Sequence, residues 1–418
     1  MLSSSFYLCG NKYQTTSHFK APLFNRSSGQ GMSAKVVVLG SGYAGTGVVS
    51  RLETELDEVD DLVWVSDVDH HLVLHESHRV LRDPGVADLL TLPIDDIAND
   101  GTRFVQGSVE GVHCDERAVR LEDGRTIGFD YAVLALGSRT AFYGIPGLKE
   151  HAFTLKGLDD AREIHEAVLS AAKDATADEP ARVAVGGAGL SGIQVAGEMA
   201  ALRDERGLPI EVSLVEALDE ILPGNADSVQ AALRERLDEA GVEILTETPI
   251  TEAAADSLHF DDRVSMQYDV LIWTGGITGQ SALEDTDVDT EHERVVAEPT
   301  FETSNDRVFA VGDSAVLDCD GGGNQVPPTA QAAWQAAEVA AENVIRRIEG
   351  RPLETWQYND KGTLISVGNE AVAHEISLLP FVDTFGGFPA EFLKKFVAAR
   401  WIADVTSWKR ARQAWPVL

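Results

Sequence analysis

Two sets of glycines in this chain have the spacing that lets a main-chain turn take a phosphate. In Gly40-Ser41-Gly42-Tyr43-Ala44-Gly45 they close the apolar, β-branched run Val36-Val37-Val38-Leu39. Gly40 permits the tight turn, Gly42 lets a pyrophosphate approach the main chain, and Gly45 lets the following helix pack on the strand. Tyr43 and Ala44 sit inside the turn, and the phosphates would lie at the helix N-terminus, where free N–H groups and the helix dipole attract an anion. A second strand, Val63-Trp64-Val65-Ser66, ends at Asp67, 22 residues after Gly45, placed to read a ribose hydroxyl.

The unit recurs 147 residues later. Val183-Ala184-Val185-Gly186 runs into Gly187, Gly189 and Gly192, and Val212-Ser213-Leu214-Val215 ends at Glu216, 24 residues after Gly192. Two complete strand-glycine-helix-strand-acid units in one polypeptide point to two dinucleotides bound face to face, the arrangement of a flavoprotein with a nicotinamide partner. Because the first turn is built for an adenine dinucleotide, the flavin is expected to be FAD. Glu216 accepts hydrogen bonds from a 2′-hydroxyl and repels a 2′-phosphate, so NADH is expected over NADPH.

Elements must hold these turns in place. The pattern reads as α/β, with two Rossmann-like dinucleotide-binding domains and a C-terminal helical segment. The first part of the FAD domain is expected over 32–147, the NADH domain over 148–290, the second part of the FAD domain over 291–352, and the C-terminal segment over 353–418. Residues 1–31, with Lys12, Lys20 and Arg26 and no acidic residue, read as an extension outside the fold. Strands are expected over 103–109 and 118–121 around the turn Glu122-Asp123-Gly124, and a buried strand over 131–136 leads to Gly137. Helices are expected over 159–173 and 228–240, and Val270 to Trp273 reads as the closing strand of the second unit. Asn305 to Val311 is a further buried strand stopping at Gly312-Asp313, the end at which open α/β sheets bind ligands. Pro327-Pro328-Thr329 then starts a long helix with Thr329 as N-cap. Its dipole would favour negative charge on a reduced flavin, and Gln331 and Gln335 share one of its faces.

Composition removes other classes. A net charge of −34 and a pI near 4.5 exclude the basic footprint of a nucleic-acid binder and suit a protein kept soluble at high salt. Cys9, Cys114 and Cys319 stand far apart, which argues against a redox disulfide, and no metal site is expected. No apolar run reaches the roughly 20 residues of a membrane-spanning helix. The end of the chain is different: residues 388–418 carry Lys394, Lys395, Arg400, Lys409, Arg410 and Arg412 against Glu391 and Asp404. Trp401, Trp408 and Trp415, seven apart, are expected on one side of a helix with Leu393, Val397 and Val405, forming a basic amphipathic surface for a membrane interface. The alternative is a helix docked on the body or on a second copy in a homodimer.

These residues together resemble the type II NADH dehydrogenase family, FAD-containing NADH:quinone oxidoreductases that lie on the membrane without spanning it and pump no protons. The resemblance runs from Lys35 to the C-terminal helix. It implies FAD at Gly40–Gly45, Asp67, Leu136-Gly137-Ser138 and Phe309–Asp313, with Asp313 on the ribityl chain. It implies NADH at Gly187–Gly192 and Glu216, with Ile272-Trp273-Thr274-Gly275 near the nicotinamide, and Gly144-Ile145-Pro146-Gly147 matches a family linker. The segment Ala330-Gln331-Ala332-Ala333-Trp334-Gln335 resembles the quinone-site helix, and Tyr358-Asn359-Asp360-Lys361-Gly362 a segment close to the flavin. Lys361, Gln331 and Gln335 become the expected catalytic side chains, and the cytoplasmic membrane face the expected location. Gln194 and Ala336 depart from the family's usual Glu and Gln. Sulfide:quinone oxidoreductase is the nearest rival, although Thr154-Leu155-Lys156 holds no cysteine. A soluble reductase of a small redox protein and a non-catalytic NADH sensor are the others.

Overall fold

The computed structural model describes residues 34–56, 61–261, 263–318, 325–377, 379 and 381–418. The extension at 1–31, Cys9 and Cys319 lie outside them.

The first unit is a parallel sheet formed by β1 (Lys35–Leu39), β2 (Asp61–Ser66), β3 (Thr102–Gln106), β7 (Tyr131–Leu134) and β12 (Val308–Ala310), in the order β12-β7-β1-β2-β3. Val37 lies beside Val63 on one side and Ala132 on the other, and all three are fully buried. Helices cover both faces of such a sheet, which is why its strands read as continuous apolar runs. Between β3 and β7 the chain makes an antiparallel meander of β4 (Val109–His113), β5 (Ala118–Leu121) and β6 (Thr126–Gly128).

The single strand expected over 103–109 is therefore two. Gly107 N donates to Ser66 O and ends the parallel ladder, and Ser108 O accepts from Glu122 N at the start of the meander. The turn Glu122-Asp123-Gly124 joins β5 to β6. An apolar stretch looks the same in sequence whether it stays in one sheet or changes sheets.

The second unit repeats the first. Its sheet has the order β10-β9-β8-β11, formed by β8 (Ala181–Gly186), β9 (Ile210–Val215), β10 (Val242–Leu245) and β11 (Val270–Trp273). Ala184, 147 residues after Val37, lies between Ser213 and Leu271. The helices α1 (Tyr43–Glu55) and α4 (Leu190–Arg206) follow the two glycine turns, with the short α2 (His78–Arg82) between the units and α3 (Leu158–Lys173) and α5 (Asp227–Glu239) against the second sheet.

The long helix α6 (Ala330–Ile348) starts where expected, with Thr329 Oγ1 accepting from Ala332 N at 3.2 Å. It lies on α1 through small residues: a Cβ on Gly47 would come within 2.7 Å of Ala337 Cβ. Ala336, buried at 2% exposure, belongs to the alanine face of α6, so the absence of a second glutamine there serves helix packing. A last antiparallel sheet, β13 (Thr363–Val367), β14 (Glu370–His374) and β15 (Thr384–Gly386), precedes α7 (Phe388–Val405) and α8 (Trp408–Ala414).

The C-terminal tryptophans do not form one stripe. The helix breaks at Thr406-Ser407, and Ser407 Oγ caps a new helix by accepting from Arg410 N. Trp401 and Val405 point inward, Trp401 at 1% exposure, while Trp408 is exposed and Trp415 half-buried. The residues that α7 turns outward are Phe388, Phe392, Phe396 and Val397, the first three at four-residue spacing on one face. Both faces of α7 are apolar, and packing against the body decides which is buried. Among the described residues no helix is long and apolar enough to cross a membrane.

Candidate functional site

Both glycine turns have the shape of a phosphate cradle. Gly40 has φ +101° and a Cβ there would lie 2.2 Å from Ala135 O, while a Cβ on Gly45 would strike Gly40 O at 2.0 Å. Gly42 looks onto open space, and α1 starts at it with no side-chain cap and no acidic residue in its first turn. The second turn is equivalent: Gly187 has φ +91° and its Cβ would meet Gly275 Cα at 2.7 Å, Gly192 is closed against Gly187 O, Gly189 is open, and α4 has no side-chain cap. Helix starts whose N–H groups have no side-chain acceptor are where an anion binds most readily, so the turns fit a dinucleotide pyrophosphate.

Asp67 follows β2 and is exposed. Glu216 follows β9 but is nearly buried at 8% exposure, its carboxylate accepting from Ala188 N at 2.7 Å and Leu218 N at 3.0 Å. The acid of the second unit is thus already folded onto its turn. Thr274 Oγ1 donates to the carbonyls of Gly186 and Gly187 and ties the end of β11 to the same turn, with Gly275 next to it.

Gly312 and Asp313 close the other side of the first unit. Gly312 has φ +67° and fits between Ala44 of α1 and Ala333 of α6. Asp313 Oδ2 accepts from Ser138 Oγ at 3.0 Å, and Ser138 follows Gly137, itself at φ +72°. Lys156 Nζ donates to Ser138 Oγ at 3.2 Å. Burial lowers its pKa, against the opposing pull of Asp313 and Asp160. The distant segments 137–138, 156 and 312–313 therefore form one polar corner. Lys156 was missed as a site residue because its partners, Ser138 and Asp313, lie on other segments that only the fold brings to it.

The residues expected at the quinone also converge. Gln331 Oε1 accepts from Lys361 N at 2.6 Å and Gln331 Nε2 donates to Gly362 O at 3.1 Å. Gln335 Nε2 donates to Gln331 Oε1 and to Asn359 O. Both amides thus fasten segment 359–362 to the start of α6. The Lys361 side chain is exposed, and Ala330 is half-buried in the first turn of the helix.

Sequence reading passed over one cluster altogether. Four of the eleven histidines, His70, His71, His75 and His78, fall within nine residues, with Glu76 among them, and that clustering was the available signal. His71 Nδ1 bonds Ser41 O inside the first glycine turn at 2.7 Å, and Trp401 Nε1 of α7 donates to His71 Nε2 at 2.8 Å. The Tyr43 ring packs against both Trp401 and His71, and its hydroxyl meets His75 Nδ1. Burial lowers the pKa of His71 and of His75 to about 4, so both are neutral at pH 7. Glu76, with no exposed surface, pairs with Lys394 and with Arg79 Nε at 2.7 Å. Burial opposes its ionisation, but these cations hold its carboxyl far below the usual range. Lys394 was expected at a membrane surface; it is buried in the body because Glu76 demands a counter-charge.

Two parallel sheets, each with a cradle for a dinucleotide pyrophosphate at the carboxyl ends of its strands, define a two-nucleotide oxidoreductase. The chain belongs to the pyridine nucleotide-disulphide oxidoreductase family, whose pattern matches residues 34–337. It is 27% identical over 388 residues, 88% of this chain and 94% of the relative, to the type II NADH:quinone oxidoreductase of Staphylococcus saprophyticus. Its fold is similar to that of NDH2 from Plasmodium falciparum in complex with NADH (TM-score 0.76, 17% identity, 92% of this chain and 97% of that one). It is similar also to sulfide:quinone oxidoreductase from Aquifex aeolicus (TM-score 0.74, 16% identity, 89% and 91%).

Proposed function

We propose that the chain is an FAD-dependent NADH:quinone oxidoreductase that pumps no protons. NADH delivers hydride to the flavin, and two electrons pass on to a quinone. The observation that carries this is the pair of cradles at Gly40–Gly45 and Gly187–Gly192, each followed by a strand ending in an acid. In this reading Gly40, Gly42, Gly45, Asp67, Gly137, Gly312 and Asp313 hold FAD, and Gly187, Gly189, Gly192, Glu216 and Gly275 hold NADH. FAD supplies the two-electron chemistry when bound, and the protein orients the two rings. Lys361, Gln331 and Gln335 border the quinone, with the glutamines positioning segment 359–362. Sulfide oxidation is disfavoured because Lys156 stands in the stretch where a flavin-adjacent thiol is needed.

Membrane contact is assigned to the outward face of α7, with Phe388, Phe392 and Phe396 entering the interface and the exposed Arg400, Lys409 and Arg412 meeting anionic lipid at the cytoplasmic side. Purified protein should release FAD on denaturation, be bleached by NADH under anaerobic conditions and be reoxidised by a quinone. Finding FMN, or a reduced flavin that quinone leaves untouched, would defeat the reading. Replacing the three phenylalanines with serine should abolish liposome binding and leave the unfolding temperature within a few degrees, because these side chains are exposed in the protein alone. Persisting liposome binding would remove α7 from the membrane surface.

A further inference from the structure

A hydride carries two electrons and one proton, so when it leaves the nicotinamide that ring becomes NAD⁺ and its acceptor gains one unit of negative charge. In a chain of net charge −34, fixed cations at the acceptor's site are what favours that gain. The polar corner at Asp313 holds two, Lys156 and Arg294, and neither is in a salt bridge among the described residues.

Arg294 holds the main chain of the corner. It is 9% exposed, and its Nε donates to Asp313 O at 2.8 Å and its Nη2 to Ala315 O at 2.5 Å. Both bonds go to carbonyls, so the guanidinium fixes the turn that carries Asp313 without being neutralised by it. Lys156 reaches the carboxylate end. Its Nζ donates to Ser138 Oγ at 3.2 Å, and Ser138 Oγ donates to Asp313 Oδ2 at 3.0 Å. The Ser138 hydroxyl has a single proton; accepting from Lys156 commits that proton to Asp313 and sets the carboxylate's orientation.

The main chain that brings Lys156 here belongs to the other unit. Phe153 N donates to Leu271 O at 2.8 Å and Trp273 N donates to Phe153 O at 2.7 Å, so the chain at 153 lies alongside β11, in the sheet that carries the second cradle. Lys156 N and Gly157 N then donate to Asp160 Oδ2 at 2.6 and 3.0 Å, which caps α3 and stops the chain from turning away. The half-buried Lys156 is thus anchored in the second unit while its ammonium lies in the first.

We propose that Lys156 is a positioning residue for hydride transfer: the NADH unit presents its ammonium to the Ser138–Asp313 corner, where it orients Asp313 and favours the negative charge that a hydride brings to the flavin. The proposal rests on the FAD and NADH assignments above. Burial works against the ammonium, while Asp313 and Asp160 favour its charged form. A cation fixed in this way needs no reorganisation when the charge arrives.

The test uses the FAD-loaded full chain and reads the reduction potential of bound FAD by spectroscopic titration against a reference dye. Lys156→Gln keeps a donor for Ser138 Oγ and loses the charge. It should lower the equilibrium constant for reduction about tenfold, or about 30 mV for two electrons, the order expected of one partly buried charge within about 10 Å. Lys156→Arg should restore the potential. Asp160→Asn keeps an oxygen for the two N–H groups but removes a negative charge, and should shift the potential the opposite way by a smaller amount. In anaerobic single turnovers, flavin bleaching by NADH should slow in Lys156→Gln while KM for NADH stays close to its unmodified value. A potential that does not move in Lys156→Gln, even where stability falls, would make Lys156 a strut between the units and overturn the proposal. Should Lys156→Gln fail to retain FAD, Asp160→Asn decides: an unchanged or lowered potential overturns the proposal, a raised one upholds it. Unmodified protein without FAD, or with FAD that NADH leaves oxidised, would overturn the cofactor reading and the proposal with it.

Discussion

The two glycine turns share a motif but differ in what backs them. Around the first, Ser41 O is held by His71, His71 by Trp401, and the Tyr43 ring is packed against both. The turn is thus braced by a helix more than 350 residues away in sequence. At the second, Leu190 is half-buried and Ser191 exposed, and the turn is fastened by Glu216 and Thr274, both from the ends of its own sheet. The first is built as a fixed socket, as a resident flavin requires. The second, with local fastenings only, suits a nucleotide that enters and leaves at every turnover.

Removing the brace should have the largest effect. Trp401→Ala deletes a buried ring and the partner of His71, and should cost about 3–5 kcal/mol of stability, with flavin lost in parallel. Absorbance of bound FAD and thermal unfolding check this. For the same reason, cutting the chain before Phe388 should yield protein without flavin; truncated protein with full flavin would show the brace to be dispensable. A smaller effect separates the turns directly. Gly40→Ala, forced to φ +101° with its Cβ on Ala135 O, should abolish FAD binding. Gly187→Ala should retain FAD while KM for NADH rises tenfold or more, as expected from the roughly 1–2 kcal/mol of left-handed strain.

Acid should loosen the first turn before the second. His71 and His75 have folded pKa values of about 4 against 6.5 unfolded, so the unfolded chain binds more protons between these values. Their stabilisation is complete above 6.5 and lost as pH falls towards 4, roughly 2 kcal/mol per histidine at pH 5. His78 is shifted in the same direction. Glu198, raised to about 7, works the other way over the same range and offsets about one histidine. Flavin fluorescence should therefore report FAD release on mild acidification, and a pH-independent signal down to 5 would refute the account. The smallest effect concerns nucleotide choice. Glu216→Ala should narrow the preference for NADH over NADPH by about ten- to a hundredfold, from the loss of one or two charge-assisted hydrogen bonds, with FAD content unchanged.

The features that were legible in the sequence share a physical basis. Gly40, Gly187 and Gly312 take positive φ, a backbone demand that their own residue type declares, Asp67 and Glu216 follow the ends of their strands, and Thr329 caps its own helix. The strand at 103–109 failed because local pattern cannot register a change of sheet. Residues 388–418 failed for a related reason: periodicity shows that faces exist, but α7 carries Phe388, Phe392 and Phe396 on one and Trp401 with Ile402 on another, and nothing local ranks them.

By itself, then, the sequence determined the two dinucleotide units, their order and the acids that complete them, because strand, turn and cap chemistry is written in adjacent residues. Only the tertiary structure decided that Trp401 braces the first turn and that Lys394 answers Glu76 inside the body. Burial, counter-charge and hydrogen-bond partners at those sites come from segments far apart in the chain, and their meeting is fixed by how the helices pack on the two sheets.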